Sequence, residues 1–265
     1  MTAQDISNRR TFCIRVIGGP TAILELGGVR FLTDPTFDAP GEYASGPGRV
    51  LTKTAGPAIG PDEVGRIDVV LLSHDQHADN LDAAGRAYLA AVPRVLTTAS
   101  AAARLGGATT PLTSWQYVDV PRPDSGLLRV TGVPAQHGPD GTDHLTGEVT
   151  GFVLSGDDLP TVYVSGDNAS VDVVRTIAER IGTVDIAVLF VGGARSSLLG
   201  DAYLTLTSEM AVEATRVLGV PHVVPVHFDG WKHFTEGADA LRSAFSEAGI
   251  AGRLSLLRQG DSITL

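Results

Sequence analysis

Two histidines and two aspartates fall within six residues at His74-Asp75-Gln76-His77-Ala78-Asp79, directly after the apolar run Val69-Val70-Leu71-Leu72. Neutral imidazole and carboxylate are the donors that Zn²⁺ and similar divalent ions take, at about 2.0–2.2 Å. Other apolar runs end in the same residue types. Phe31-Leu32-Thr33 runs into Asp34, Val130 to Pro134 leads to His137, Val162 to Gly166 leads to Asp167, and Val223 to Val226 leads to His227. Strand ends are rigid platforms from which side chains can converge over one edge of a sheet. An ion held there with one open position lowers the pKa of bound water towards neutrality. Each residue alone has a plainer explanation. A histidine after a strand is commonly a hydrogen-bonded loop residue, Asp34-Pro35 starts turns, and Asp167 is suited to cap the next helix. The joint pattern argues for a metal site.

The elements that must position these residues follow from apolar spacing. Phe12 to Ile17, Ala22 to Leu26 and Val29 to Thr33 read as three antiparallel strands joined at Gly-rich turns. Residues 34–65 carry Pro and Gly without a period and read as one long loop. A buried strand is expected at Asp68 to Leu72 and a helix over Leu81 to Ala91. Further strands are expected at 95–97, 115–118, 127–133, 150–154 and 161–164. Helices over 171–181, 208–218 and 238–248 then alternate with strands at 186–190, 222–226 and 254–257. Meanders followed by alternation predict an α/β protein of two packed sheets with helices outside, in one domain over residues 1–265.

Composition narrows the class. The chain has 265 residues and a formal charge of −10, which gives no general attraction for nucleic acid or anionic membranes. Lys53 and Lys232 are the sole lysines, a usage typical of a GC-rich bacterial gene. Cys13 has no partner for a disulfide and reads as a buried strand residue. No membrane span or export signal is visible, so a cytoplasmic protein is expected. There is no phosphate-binding Gly-x-x-x-x-Gly-Lys loop, no dinucleotide fingerprint, no zincin helix and no Gly-x-Ser-x-Gly elbow.

The order of Asp34, the SHDQHADN cluster, His137, Asp167 and His227 resembles the five motifs of the metallo-β-lactamase fold superfamily, over about Phe12 to His227. Within it, the FLTDP, LLSHD, YVSGDN and VPVHFDGW segments are similar to simple hydrolases related to L-ascorbate-6-phosphate lactonase. The central motif departs from the family pattern His-x-His-x-Asp-His, since the chain reads His74-x-x-His77-x-Asp79-Asn80. One extra loop residue keeps His74, His77 and Asp79 in motif places and puts Asn80 where the last histidine belongs. Without it, Gln76 and Ala78 replace a histidine and the aspartate. The insertion is preferred because it preserves three strong ligands instead of one, and Gln76 is then a weak or outer contributor.

The resemblance implies a four-layer αββα sandwich of two mixed β-sheets. It implies His74, His77 and His137 as ligands of a first ion. Asp167 would bridge to or face a second, completed by Asp79 and His227, with Asp34 orienting the cluster by hydrogen bonds. Asp79 is also the candidate catalytic group that steers the water and takes its proton. Asn80, a weak zinc ligand, leaves the second position loose, so one Zn²⁺, two Zn²⁺ and Mn²⁺ all stay open. The implied activity is metal-dependent hydrolysis by a metal-bound hydroxide, on a small, anionic ester, lactone or phosphodiester. The alternative is a non-catalytic binding or scaffold relative with a degenerate metal site. Arg195 is the candidate contact for an anionic group, and Trp231, Lys232 and His233, which follow His227, are candidate substrate contacts. His222 reads as structural and His144 as an exposed loop residue. Many superfamily members self-associate, which leaves a homo-oligomer open.

Overall fold

A computed structural model describes residues 11–45 and 50–265. The chain begins with an antiparallel meander of β1 (Phe12–Gly18), β2 (Thr21–Leu26) and β3 (Val29–Thr33). The segment expected as one long loop contains a two-stranded hairpin of β4 (Gly41–Ala44) and β5 (Val50–Lys53), then a 3₁₀ turn at Pro61–Glu63. Strands of four residues amid Pro and Gly are too short to show an alternation.

Next come β6 (Val69–Leu71), α1 (Ala83–Tyr88), β7 (Val95–Thr97), α2 (Ala99–Leu105) and β8 (Thr109–Pro111). β3, β6, β7 and β8 pair in parallel. Asp82 caps α1 by accepting from the Gly85 N–H at 2.8 Å, and a 3₁₀ turn prolongs the helix through Ala91. A Cβ at Gly85 would overlap the Pro35 carbonyl, so glycine lets α1 press against the turn after β3.

The second half forms β9 (Tyr117–Pro121), β10 (Leu127–Pro134), a short α3 (Asp143–Thr146), β11 (Thr150–Ser155) and β12 (Val162–Val164). Then α4 (Val171–Ile181), β13 (Ile186–Phe190), α5 (Ser208–Leu218), β14 (His222–Val226) and α6 (Ala238–Glu247) alternate. α4 and α5 start on Ser170 and Thr207, whose hydroxyls accept from Val173 and Met210. The expected strand at 254–257 is instead a single bridge from Leu254 to Val223. The closing strand is β15 (Ser262–Thr264), which pairs with β1.

The strands make a seven-stranded sheet in the order β15-β1-β2-β3-β6-β7-β8 and a six-stranded sheet in the order β14-β13-β12-β11-β10-β9. Both are mixed. Between them Phe12, Ile14, Leu24 and Phe31 meet Phe152, Leu154, Val164 and Phe190, all buried. Each such side chain contributes about 1.5–3 kcal/mol of burial energy. On the outer face of the second sheet, Val174 and Ile177 of α4, Ala211 of α5 and Phe245 of α6 cover Tyr163 and Leu189. On the outer face of the first, Leu81, Leu89 and Val92 cover Ile23, Leu32 and Val70. The result is the αββα sandwich. Cys13 is half-buried, not buried, because β1 alternates there and turns it away from the central core. No helix among the described residues is long and apolar enough to cross a membrane.

Candidate metal centre

β3 and β6 are parallel neighbours, so the residues after them emerge side by side. Asp34 follows β3 with φ +24, a strained value for a non-glycine residue. Its buried carboxylate accepts from the Ser73 N–H and the Ser73 hydroxyl, both at 2.6 Å, and from Asn80 Nδ2 at 3.1 Å. Burial pushes this carboxyl up to about 7, against the opposing pull of those donors. The Ser73 hydroxyl has one proton, and Asp34 takes it. Its oxygen must then accept from His74 Nδ1, 2.9 Å away, which leaves the His74 Nε2 lone pair facing inward.

His137 follows β10 and obeys the same logic. Its Nδ1 lies 2.7 Å from the Leu204 carbonyl, which can only accept, so Nε2 carries the lone pair. Both Nε2 atoms converge on His77 Nδ1, at 2.9 Å from His74 and 3.3 Å from His137. Nitrogens around a tetrahedral zinc stand about 3.3 Å apart, given bonds of about 2.0–2.1 Å. Burial, aided by the neighbouring histidines, holds His74 well below the usual histidine value and His77 at about 4. Both are therefore neutral at physiological pH, the form that binds metal.

Asp79, Asp167 and His227 form a second group whose ligand atoms lie within 4.8 Å of one another, as do those of His74, His77 and His137. Asp167 follows β12 through Gly166, which has φ +57 and leaves no room for a Cβ beside the Thr150 carbonyl. His227 follows β14 in the left-handed region at φ +60, its N–H donating to the Gly19 carbonyl at 2.8 Å. His227 Nδ1 is 3.0 Å from Asp167 Oδ1, and His227 Nε2 is 3.4 Å from Asp79 Oδ2. These are charge contacts without hydrogen-bond alignment, for both ring nitrogens and Asp79 Oδ1 are buried with no hydrogen-bond partner. Burial disfavours charge on all three groups, but opposite charge wins: His233 and His227 act on Asp79, His227 acts on Asp167, and both carboxylates act on His227. Asp79 and Asp167 stay well below the usual carboxylate range, and His227 is raised to about 10. Asp167 also lies 3.8 Å from His137, between the two groups. Three convergent imidazole nitrogens beside buried, unpartnered carboxylate and imidazole atoms fit divalent cations.

The other expected residues separate. Gln76 is exposed, and its amide lies over Gly147, outside both groups. The turn after Asp75 swings it outward, because Asp75 is held by Arg104 and Arg86. Asn80 is buried and bridges Asp34 to Asp167, donating to the latter at 3.2 Å. Trp231 is not a rim residue. It is buried, bridges to Lys53 by its backbone and stacks edge-on to Tyr43, anchoring the β4–β5 hairpin. Lys232 points to solvent. His233 is drawn inward instead, with Nε2 3.0 Å from Asp79 Oδ2. His144 and His222 are exposed. A cavity of about 340 Å³ opens over the two groups, lined by His77, Asp79, His137, Asp167 and His233 below and by Leu51, Arg195, Ser196 and Ser197 above.

A profile of the beta-lactamase superfamily domain matches residues 29–228. The chain therefore belongs to that family and is a hydrolase of the metallo-β-lactamase superfamily. Among relatives, a metal-dependent hydrolase from Methanosphaerula palustris is 31% identical over 150 residues, covering 53% of this chain and 63% of that protein. Another from Pyrococcus horikoshii is 23% identical over 81% of this chain and 89% of its own length. The same fold is found in an isothiocyanate hydrolase from Delia radicum gut bacteria, with TM-score 0.79, 22% identity, and 95% and 98% of the two chains covered. A Veillonella parvula protein described as a possible metal-dependent hydrolase has TM-score 0.81 and 16% identity, covering 97% of this chain and all of its own.

Proposed function

We propose that the chain hydrolyses a small, anionic ester, lactone or phosphodiester, using divalent cations held in two positions. His74, His77 and His137 hold the first, and Asp79, Asp167 and His227 the second, with Asp167 facing both. The observation that carries this reading is the convergence of three inward-facing imidazole nitrogens at 2.9 and 3.3 Å beside the carboxylate group, on the floor of one cavity. When bound, such an ion polarises a carbonyl or phosphoryl oxygen and acidifies water. Zn²⁺ suits the imidazole position, and Mn²⁺ suits the oxygen-rich one equally well.

The chain's own residues do the rest. Asp34 and Ser73 fix the His74 tautomer, and the Leu204 carbonyl fixes that of His137. Asp79 keeps one oxygen free of hydrogen bonds beside the cavity, where it can accept a proton from attacking water. Arg195 is the sole Arg or Lys among the described residues lining the cavity. Its guanidinium stacks on Tyr203 and donates to the phenol oxygen at 2.6 Å, which orients it towards an anionic group. Leu51, Val50 and Leu204 offer an apolar wall for the substrate body. A lactonase-like specificity accords with this small, one-sided charge.

Elemental analysis of the purified protein, followed by turnover of a lactone and phosphodiester panel, tests the reading. Bound Zn²⁺ or Mn²⁺ with metal-dependent turnover is expected. Protein that carries no ion and gains none from added Zn²⁺ or Mn²⁺ would overturn it and favour a binding module.

A further inference from the structure

We infer that His233, from the loop after β14, supplies the imidazole that the central motif lacks at Asn80, so that the second cation position is held by Asp79, Asp167, His227 and His233. The inference rests on the two-position reading above and concerns a residue outside the motifs.

The Asn80 amide nitrogen is committed elsewhere, while its oxygen is buried without a hydrogen-bond partner. The nitrogen donates to Asp34 at 3.1 Å and to Asp167 at 3.2 Å, holding two buried carboxylates apart. An amide oxygen is in any case a poor donor to zinc. On the opposite side of Asp79, two imidazoles approach the same carboxylate oxygen, His233 Nε2 at 3.0 Å and His227 Nε2 at 3.4 Å. His233 is only 14% exposed, and its Nδ1 is buried with no hydrogen-bond partner. In the metal-free chain the Asp79 carboxylate draws the ring proton to Nε2, and because Nδ1 has no partner the proton can move there and free Nε2 for a cation.

The loop is built to hold the ring there. Lys232 N–H donates to the Thr52 carbonyl at 3.0 Å, and the His233 carbonyl accepts from Arg195 at 3.3 Å. The N–H groups of Thr235 and Glu236 both donate to the Gly192 carbonyl at 3.0 Å. The ring lies against Phe234, with centroids 4.5 Å apart. A surface turn would need none of this bracing. With His233, the second position offers two imidazoles and two carboxylates, a set suited to Zn²⁺ and Co²⁺. Without it, one imidazole and two carboxylates favour harder Mn²⁺.

The test titrates chelator-stripped protein with Co²⁺, read by its visible absorption, and with Zn²⁺, read by elemental analysis after desalting. Wild-type protein should take two equivalents. His233→Ala should keep one and bind the other at least about tenfold more weakly, while its circular dichroism is unchanged. Asn80→His in that background should return the lost equivalent. His233→Gln, which preserves bulk and a donor to Asp79, should behave like His233→Ala. Should His233→Ala bind both equivalents as tightly as wild type, or lose only substrate affinity as a raised KM, His233 is a substrate contact and the inference falls. If neither protein binds any ion, the function proposed above falls with it.

Discussion

The two ligand groups share one cavity floor but are built on opposite electrostatic terms. In the imidazole trio burial keeps His74 and His77 neutral, and hydrogen bonds behind His74 and His137 set ring orientation. In the carboxylate group little is pre-oriented by hydrogen bonds. Charge holds it together, with His227 carrying a proton between Asp79 and Asp167 when no ion is present. One position selects by direction and the other by charge. On the proposed reading, a position held by charge would tolerate a changed ligand better than one held by angle.

Asp167 offers the largest break in this contrast, because it touches both groups. Asp167→Ala should deplete both positions, and hydrolysis should fall by more than the roughly 10–100-fold that loss of an outer hydrogen-bond partner costs. His137→Ala should empty only the imidazole position. Elemental analysis alongside kcat/KM separates the two outcomes. Ser73→Ala should act through direction alone. It removes the hydroxyl that receives His74 Nδ1 and should weaken the imidazole position by about 10–100-fold while sparing the carboxylate one. Stepwise Zn²⁺ titration reads that split.

Protons sharpen the comparison further. His227 is raised to about 10 in the folded, metal-free chain, above the ordinary histidine value of 6.5. Its contribution to stability is therefore complete below about pH 6.5 and fades as pH rises towards 10. Metal-free protein should lose thermal stability across that window, whereas metal-loaded protein should not. At pH 8, filling the carboxylate position should release about one proton from His227, whereas His74 and His77, already neutral, should release none. Calorimetry in two buffers of different ionisation enthalpy measures this. The smallest effect is expected at Gln76→Ala, which should leave metal content unchanged and stability within about 0.5 kcal/mol. Depletion there would reverse the motif alignment.

Much of this arrangement was legible before folding because strands announce where they end. Apolar runs stopping at Asp34, His74, His137, Asp167 and His227 became β3, β6, β10, β12 and β14 or led directly from them, and their ends converge. What stayed hidden depends on contacts across the chain. β8 and β15 are three residues long, below the length at which a period shows. α2, a seven-residue Ala-rich helix over Ala99–Leu105, carries too weak an apolar stripe to stand out. Trp231 and His233 are two residues apart, yet one anchors a hairpin and the other reaches Asp79. Residues 232 and 233 lie in a turn, which shows no period in a sequence.

The burial of Lys53 has a practical consequence. Its ammonium is 4% exposed and paired at 3.0 Å with Asp82. With only two lysines in the chain, Lys232 is the one side-chain amine open to acylating reagents. A fluorophore coupled to a lysine side chain should therefore settle beside His233, and its emission would report events in the cavity without any engineered cysteine.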